Sequence, residues 1–387
     1  MGIAAIEAPR AEEPSSRVWR LPAATKAGVR WHVSPLVDVA AYHFSWLWVL
    51  VPISFAGPHR TVDYLFVYAL VKGANFAHRH YGMPYAYLDR SVFAAHARQL
   101  TYFPLLCVAF LLACPAIVNG GLGKGAVAAL TGVAAFSFAW NIYHTYMQKY
   151  GILRVYMAKD AAPAERKTPA WVDKLFTFCW LPLYLFYLVP ANRRVILANG
   201  AAAPAIARTT VDFLTSHRAL LVVPSMLLVA AALVLWLWHE VRAHRLQNTA
   251  RLSAGLGMVA IATTFFWLDP IKVFVAFGFS HAVEYMVFVW AFQRRRYAEP
   301  SARPSVLAGL LAHPLWFYGS LTIVLGAISM TSALWGRWFL VGAAPVVFLG
   351  MTGAQWFFYY AVFQSLVHFY MDGFLWKLRR PEVRAHV

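Results

Sequence analysis

Charge is scarce in this sequence, and negative charge is scarcest. Only 13% of the 387 residues are charged, and 16 Asp and Glu stand against 34 Lys and Arg. That excludes an ordinary soluble domain, in which about 25% of residues are charged. Cysteine is nearly missing too. Cys107, Cys114 and Cys179 lie in apolar runs with no CxxC spacing, which excludes a disulfide framework and a thiolate metal site. They read as small buried hydrophobes. Met1–Arg30 is rich in Ala, Pro, Glu and Arg and lacks an apolar core, so a flexible cytoplasmic tail over residues 1–35 is expected instead of a cleavable signal.

What is present is apolar: 60% of the residues are hydrophobic and 16% aromatic. Stretch after stretch is long enough to cross a hydrocarbon core, which takes roughly 20 helical residues. The expected fold is all-α, a polytopic integral membrane helical bundle of about ten transmembrane helices. It forms a single membrane domain over residues 36–376, with a basic cytoplasmic tail over 377–387. The spans are expected at about Leu36–Ala56, Val62–Ala77, Thr101–Val118, Ala126–Met147, Leu175–Val189, Ala219–Trp238, Leu252–Leu268, Ile271–Phe292 and within Val306–Met330. The last stretch, from Trp338 to Trp376, is expected to break near Pro345 and Gly350/Gly353. Arg90, His96 and Arg98 suggest an interfacial helix before the third span, and Lys149–Lys174 reads as a basic loop. The fifth segment is short, carries Pro182, and reads as kinked or re-entrant.

The net charge of +18 sits in short loops and tails, where Lys and Arg set topology and meet anionic headgroups; nucleic-acid binding is not expected. With the basic N-terminal tail inside, the even-numbered spans end inside. Both termini are then cytoplasmic, in what reads as a bacterial inner (plasma) membrane. Arg193, Arg194, Arg208 and Arg218 disagree with that scheme and again put the fifth segment in question.

Against this background a few polar residues recur at helical spacing. Gln364, His368 and Asp372 fall at i, i+4 and i+8 and share one helix face. Asn75 with His78, and Asn141, His144 and Gln148, sit near the ends of two other spans; His281 and Glu284 lie midway along a fourth. An ionisable residue inside a membrane is a functional-site hypothesis by default. His281, Glu284, His368 and Asp372 are therefore expected to ligate a metal ion and carry the chemistry, with His144 and His78 completing the set. Neutral imidazoles and carboxylates suit a divalent cation, iron first, with zinc or manganese as alternatives and haem behind them. Asn75, Asn141, Gln148 and Gln364 are expected to orient the imidazoles. His43 in the first span reads as a hydrogen-bonded packing residue, and Asp269 with Lys272 as an outer-loop ion pair.

Chemically, though not in sequence, the pattern resembles intramembrane non-haem iron enzymes. The HxxxH and HxxHH boxes of membrane desaturases and hydroxylases are absent, and the nearest pair is His78-Arg79-His80. The expected function is a metal-dependent membrane oxidoreductase acting on a lipid or isoprenoid-like substrate near the cytoplasmic face, with a redox partner. The aromatic run Trp356–Tyr360 would line a slot for an apolar chain. A membrane transferase with a His general base and a proton- or ion-coupled transporter are the alternatives.

Overall fold

Backbone groups in hydrocarbon must satisfy one another, and an apolar segment does so locally as a helix. Helices accordingly dominate the computed structural model, which describes residues 31–55, 61–160, 167–191, 193, 205–243, 248–297, 310, 314–335 and 347–387. Residues 1–30 of the expected N-terminal tail and Pro345 lie outside these residues; His32 and Val33, expected in the flexible tail, are instead buried and donate their N–H groups to Asp38. In chain order the helices are α1 (Pro35–Val37), a π-helical turn (Asp38–His43), α2 (Leu47–Phe55), α3 (Thr61–His78), α4 (Gly82–Leu88), α5 (Arg90–Val118), α6 (Gly123–Lys159), α7 (Ala170–Phe178) and α8 (Trp180–Ala191). They continue as α9 (Ala205–Ser216), α10 (Arg218–Arg242), α11 (Thr249–Thr264), α12 (Pro270–Tyr297), α13 (Pro314–Trp335), α14 (Gly353–Leu375) and α15 (Pro381–Arg384). A two-residue ladder, β1 (Val347–Phe348) with β2 (Met351–Thr352), precedes α14.

Among the described residues five helical segments are long and apolar enough to cross a membrane: α5, α6, the run Ala170–Ala191, α10 and α12. Pro35–His43 with Leu47–Phe55, bent by 56°, makes a sixth if the pair is one span. The chain is thus a helical membrane bundle, with five or six such segments described where about ten were expected. The doubtful fifth segment is continuous enough over Ala170–Ala191 to qualify. The expected interfacial helix runs straight into α5, with a kink at His96 (φ −130°, ψ 19°). The expected break before the last helix is a tight turn through Leu349 (φ 51°) and Gly350 (φ 76°). Thr352 and Gln355 then cap α14 reciprocally as a capping box. Asp269 caps α12 by accepting from the Ile271 N–H at 2.8 Å, and no bond joins it to Lys272.

Side-chain contacts fix the helix directions. Asn75 lies against Gly278, and His78 against His281, so α3 and α12 run parallel. His144 meets His281 while Gln148 meets Glu284, which makes α6 parallel to α12. Phe76 meets Phe357 and His78 meets His368, adding α14 to the same direction. The helix α5 runs the other way, pairing Phe103 with Tyr370 and Phe110 with Phe363. At the centre stands α12, whose most apolar window is 61% buried against 11–39% for the other candidate spans.

Two contacts set the packing limits. At Gly257 of α11 an added Cβ would stand 2.3 Å from the His43 carbonyl oxygen, so this helix reaches the π-helical turn only because the side chain is missing. The Gly73 and Gly326 backbones meet similarly where α3 crosses α13. Outside the spans, Asp89 caps α5 by accepting from the Ser91 and Val92 N–H groups, and also accepts from Tyr297 Oη and Arg296 Nε.

Gly257→Ala is expected to lower stability in detergent by about 1–3 kcal/mol, the cost of overpacking against a fixed backbone, read as a drop in the thermal midpoint. Asp89 gives a pH prediction. Burial opposes its charge, but the Ser91, Tyr297 and Val92 hydrogen bonds and Arg296 outweigh burial and hold the carboxyl below its usual value. A depressed folded pKa contributes stability above the unfolded value, about 3.9, and that stability is lost as pH falls through the folded value. In Asp89→Asn the acid limb of the stability profile below about pH 4 should therefore flatten.

Candidate functional site

Parallel helices bring residues of like depth together, and here they bring histidines. His78 from α3, His144 from α6, His281 from α12 and His368 from α14 form a closed set. Ring centroids lie 4.8 Å apart for His78–His281, 5.0 Å for His78–His368, 5.2 Å for His144–His281 and 4.9 Å for His144–His368. His78, His281 and His368 are 1–2% exposed, so bulk water does not reach them.

Their hydrogen bonding is incomplete. Both ring nitrogens of His78 and of His281, and Nε2 of His144 and of His368, are buried without a partner. An unmade hydrogen bond at a buried polar atom costs about 1–3 kcal/mol. Six such atoms on four adjoining rings are an arrangement that packing alone would not favour. Donor atoms of His78, His281 and His368 all lie within 4.8 Å of one another, as do those of His144, His368 and Asp372. Two nitrogens on one ion at about 2.1 Å can be at most about 4.2 Å apart. Three donors around one such ion can all be at most about 3.6 Å apart, so either group would close by about 1 Å to hold a metal.

Asp372 is aimed at this centre. Its Oδ1 accepts from Tyr285 Oη at 2.8 Å and from Trp376 Nε1 at 2.9 Å. Its Oδ2 is left facing His144 Nε2 at 3.5 Å and His368 Nε2 at 3.6 Å, too far for good hydrogen bonds. The basic residues Lys377, Arg379 and Arg380 have no part in this; Arg380 Nη1 donates to His96 Nε2 at 2.7 Å. Helical spacing contained the missing clues, for Tyr285 follows His281, and Trp376 follows Asp372, by four residues.

Glu284, expected as a ligand, lies outside both donor groups. It is fully buried, and its Oε1 pairs with Lys149 Nζ and accepts from Ser280 Oγ at 2.6 Å. Its Oε2 accepts from Gln148 Nε2 at 3.0 Å. Lys149 belongs to no loop: α6 continues to Lys159 and carries the ammonium into the core next to α12. No basic residue is near Glu284 in sequence, and only the α6–α12 packing supplies one.

The four amides do not orient imidazoles. Gln148 donates to the His281 carbonyl at 2.9 Å as well as to Glu284. Gln364 donates to the Arg79 carbonyl at 3.3 Å and Asn75 to the Val71 carbonyl at 3.0 Å. Thr145 donates to the Asn141 backbone carbonyl, and no hydrogen bond joins the Asn141 side chain to a ring. His43 lies outside the set, bonded to Ser253 Oγ at 2.8 Å and Tyr156 Oη at 3.0 Å. Because Tyr156 donates to Asp38 at 2.9 Å, His43 Nε2 must carry the proton that reaches Tyr156. The cysteines are remote from the histidines, Cys114 and Cys179 donating to their own helix carbonyls.

No family of known proteins matches this chain, and neither does any curated protein or any solved structure.

The Glu284–Lys149 pair makes its own prediction. Glu284→Gln leaves a buried ammonium without its anion and should cost about 3–5 kcal/mol of stability. Lys149→Met/Glu284→Leu should recover much of that loss. Thermal unfolding in detergent, with metal content measured alongside, checks both; a Gln variant as stable as the parent would contradict the pairing.

Proposed function

We propose that the chain is an intramembrane metal-dependent oxidoreductase, holding a divalent ion, iron first, between His78, His144, His281, His368 and Asp372. The substrate is lipid- or isoprenoid-like, and a redox partner supplies electrons. The observation that carries this reading is the set of six buried imidazole nitrogens with no hydrogen-bond partner. A cation can take one nitrogen from each ring, the second nitrogens of His78 and His281 lying outside its reach. Imidazole and carboxylate donors without thiolate suit iron, zinc or manganese. Bound iron would supply one-electron chemistry and an open position for dioxygen. The residues of the chain do the rest: the four helices exclude water, and Tyr285 and Trp376 fix Asp372 so that one oxygen faces the imidazoles. The rings pack edge to face at about 5 Å, which leaves no room between them for a macrocycle and favours a bare ion over haem.

The transferase reading has one observation in its favour, the His368–Asp372 approach at 3.6 Å, which would suit a base oriented by a carboxylate. Metal content separates the two. The parallel helices also support placing the site toward a single membrane face, here assigned as cytoplasmic from the basic loops and tail, in a bacterial inner membrane.

Elemental analysis of protein purified in detergent without chelator should find about one ion per chain. His281→Ala or His368→Ala should each remove most of it, and the double variant should be scarcely worse than either. His217→Ala, at an exposed residue, should retain the ion. Unchanged metal in both site variants would refute the shared centre.

A further inference from the structure

Several buried or part-buried cations in this bundle have counter-ions. Lys149 has Glu284, and Arg251, fully buried, has Asp173 at 2.5 Å and Glu240 at 2.9 Å. Arg154 shares Asp173, and Arg296 has Asp89. Arg79 is the exception beside the site. It follows His78 at the end of α3 and leans along α14, donating from Nη1 to the Ala361 carbonyl at 3.1 Å. Its Nε is buried with no hydrogen-bond partner, and among the described residues no carboxylate lies within ion-pair distance of its guanidinium.

Arginine does not shed its proton in a protein, so this charge needs an anion or a high energetic cost. The metal centre makes the imbalance worse. Four neutral imidazoles and one carboxylate would leave a divalent ion with one uncompensated positive charge, beside which Arg79 stands as the residue after His78. Lys72, one heptad earlier on α3, adds another cation with no ion pair among the described residues; its Nζ sits 5.2 Å from the centre of the Phe357 ring. Between the two cations Phe76 packs on Phe357 at 5.1 Å and on Tyr360 at 5.8 Å, so the α3–α14 seam is apolar between charged ends.

We propose that the site takes an amphiphile bearing a carboxylate, seated on the free Nε/Nη2 edge of Arg79, with its apolar chain along the α3–α14 seam. With Nη1 spent on Ala361, that edge is the part of the fork left for a bidentate carboxylate. Lys72 contributes long-range attraction. Arg79 is a binding residue that sets ligand class; that the bound amphiphile is a substrate rests on the metal-enzyme reading.

The test uses the full chain in an uncharged detergent, with dodecanoate, dodecan-1-ol, dodecyl phosphate and acetate as probes, and equilibrium binding as the readout. Dodecanoate should bind the parent more tightly than dodecanol by about ten- to hundredfold, the worth of charge-assisted hydrogen bonds. Arg79→Gln should remove that difference while keeping the parent's metal content. Arg79→Lys, which keeps the charge and loses the fork, should fall between. Micellar partitioning is common to parent and variants and cancels in the ratios. Equal binding of dodecanoate and dodecanol, or an Arg79→Gln variant that still prefers dodecanoate, would overturn the proposal. Acetate binding as tightly as dodecanoate would overturn the amphiphile, and a preference for dodecyl phosphate would replace the carboxylate by a phosphate. Anion selectivity in a protein that carries no metal would refute the metal centre and leave this seat standing.

Discussion

The bundle depends on one unsatisfied demand: imidazole nitrogens held in a dry interior with nothing to bond to. Helix packing must overcome that cost, or a ligand must remove it. Four parallel helices deliver the rings to one depth, and close backbone approaches such as Gly73 against Gly326 let α3 pack tightly enough to reach. The carboxylate of Asp372 is held by a phenol and an indole that leave one oxygen toward the rings.

Charge is handled by local pairing elsewhere in the interior. Arg251 neutralises Asp173 and Glu240 between α7, α10 and α11, far from the histidines in sequence and on a different set of helices. Lys149 neutralises Glu284 one turn from His281. These pairs keep stray charge out of the centre, so its electrostatics are set by Asp372 and Arg79. Glu284 on α12 is taken up by an ion pair, while Asp372 on α14 faces the imidazoles.

Much of this was legible in the sequence. The apolar runs dictated membrane helices because lipid offers no hydrogen bonds to an open backbone, and the i, i+4 spacing of Gln364, His368 and Asp372 fixed a common face. The same logic singled out His78, His144 and His281 as intramembrane imidazoles. The span count was less legible, since α3 and α14, which carry the site's polar residues, are not among the helices apolar enough to cross on composition alone.

What the sequence by itself determined, then, was which side chains would share a helix face and which segments would leave water. Both follow from helical periodicity and transfer energetics, which are properties of a single segment. Which face meets which belongs to tertiary structure. Glu284 has no cation near it along the chain, and only the docking of α6 on α12 turns a potential ligand into half of an ion pair. Tyr285 and Trp376 become a clamp, and Arg79 an unpaired charge, through the same long-range packing. An interaction between helices depends on their mutual rotation and register, and neither is encoded at the spacing of one helix.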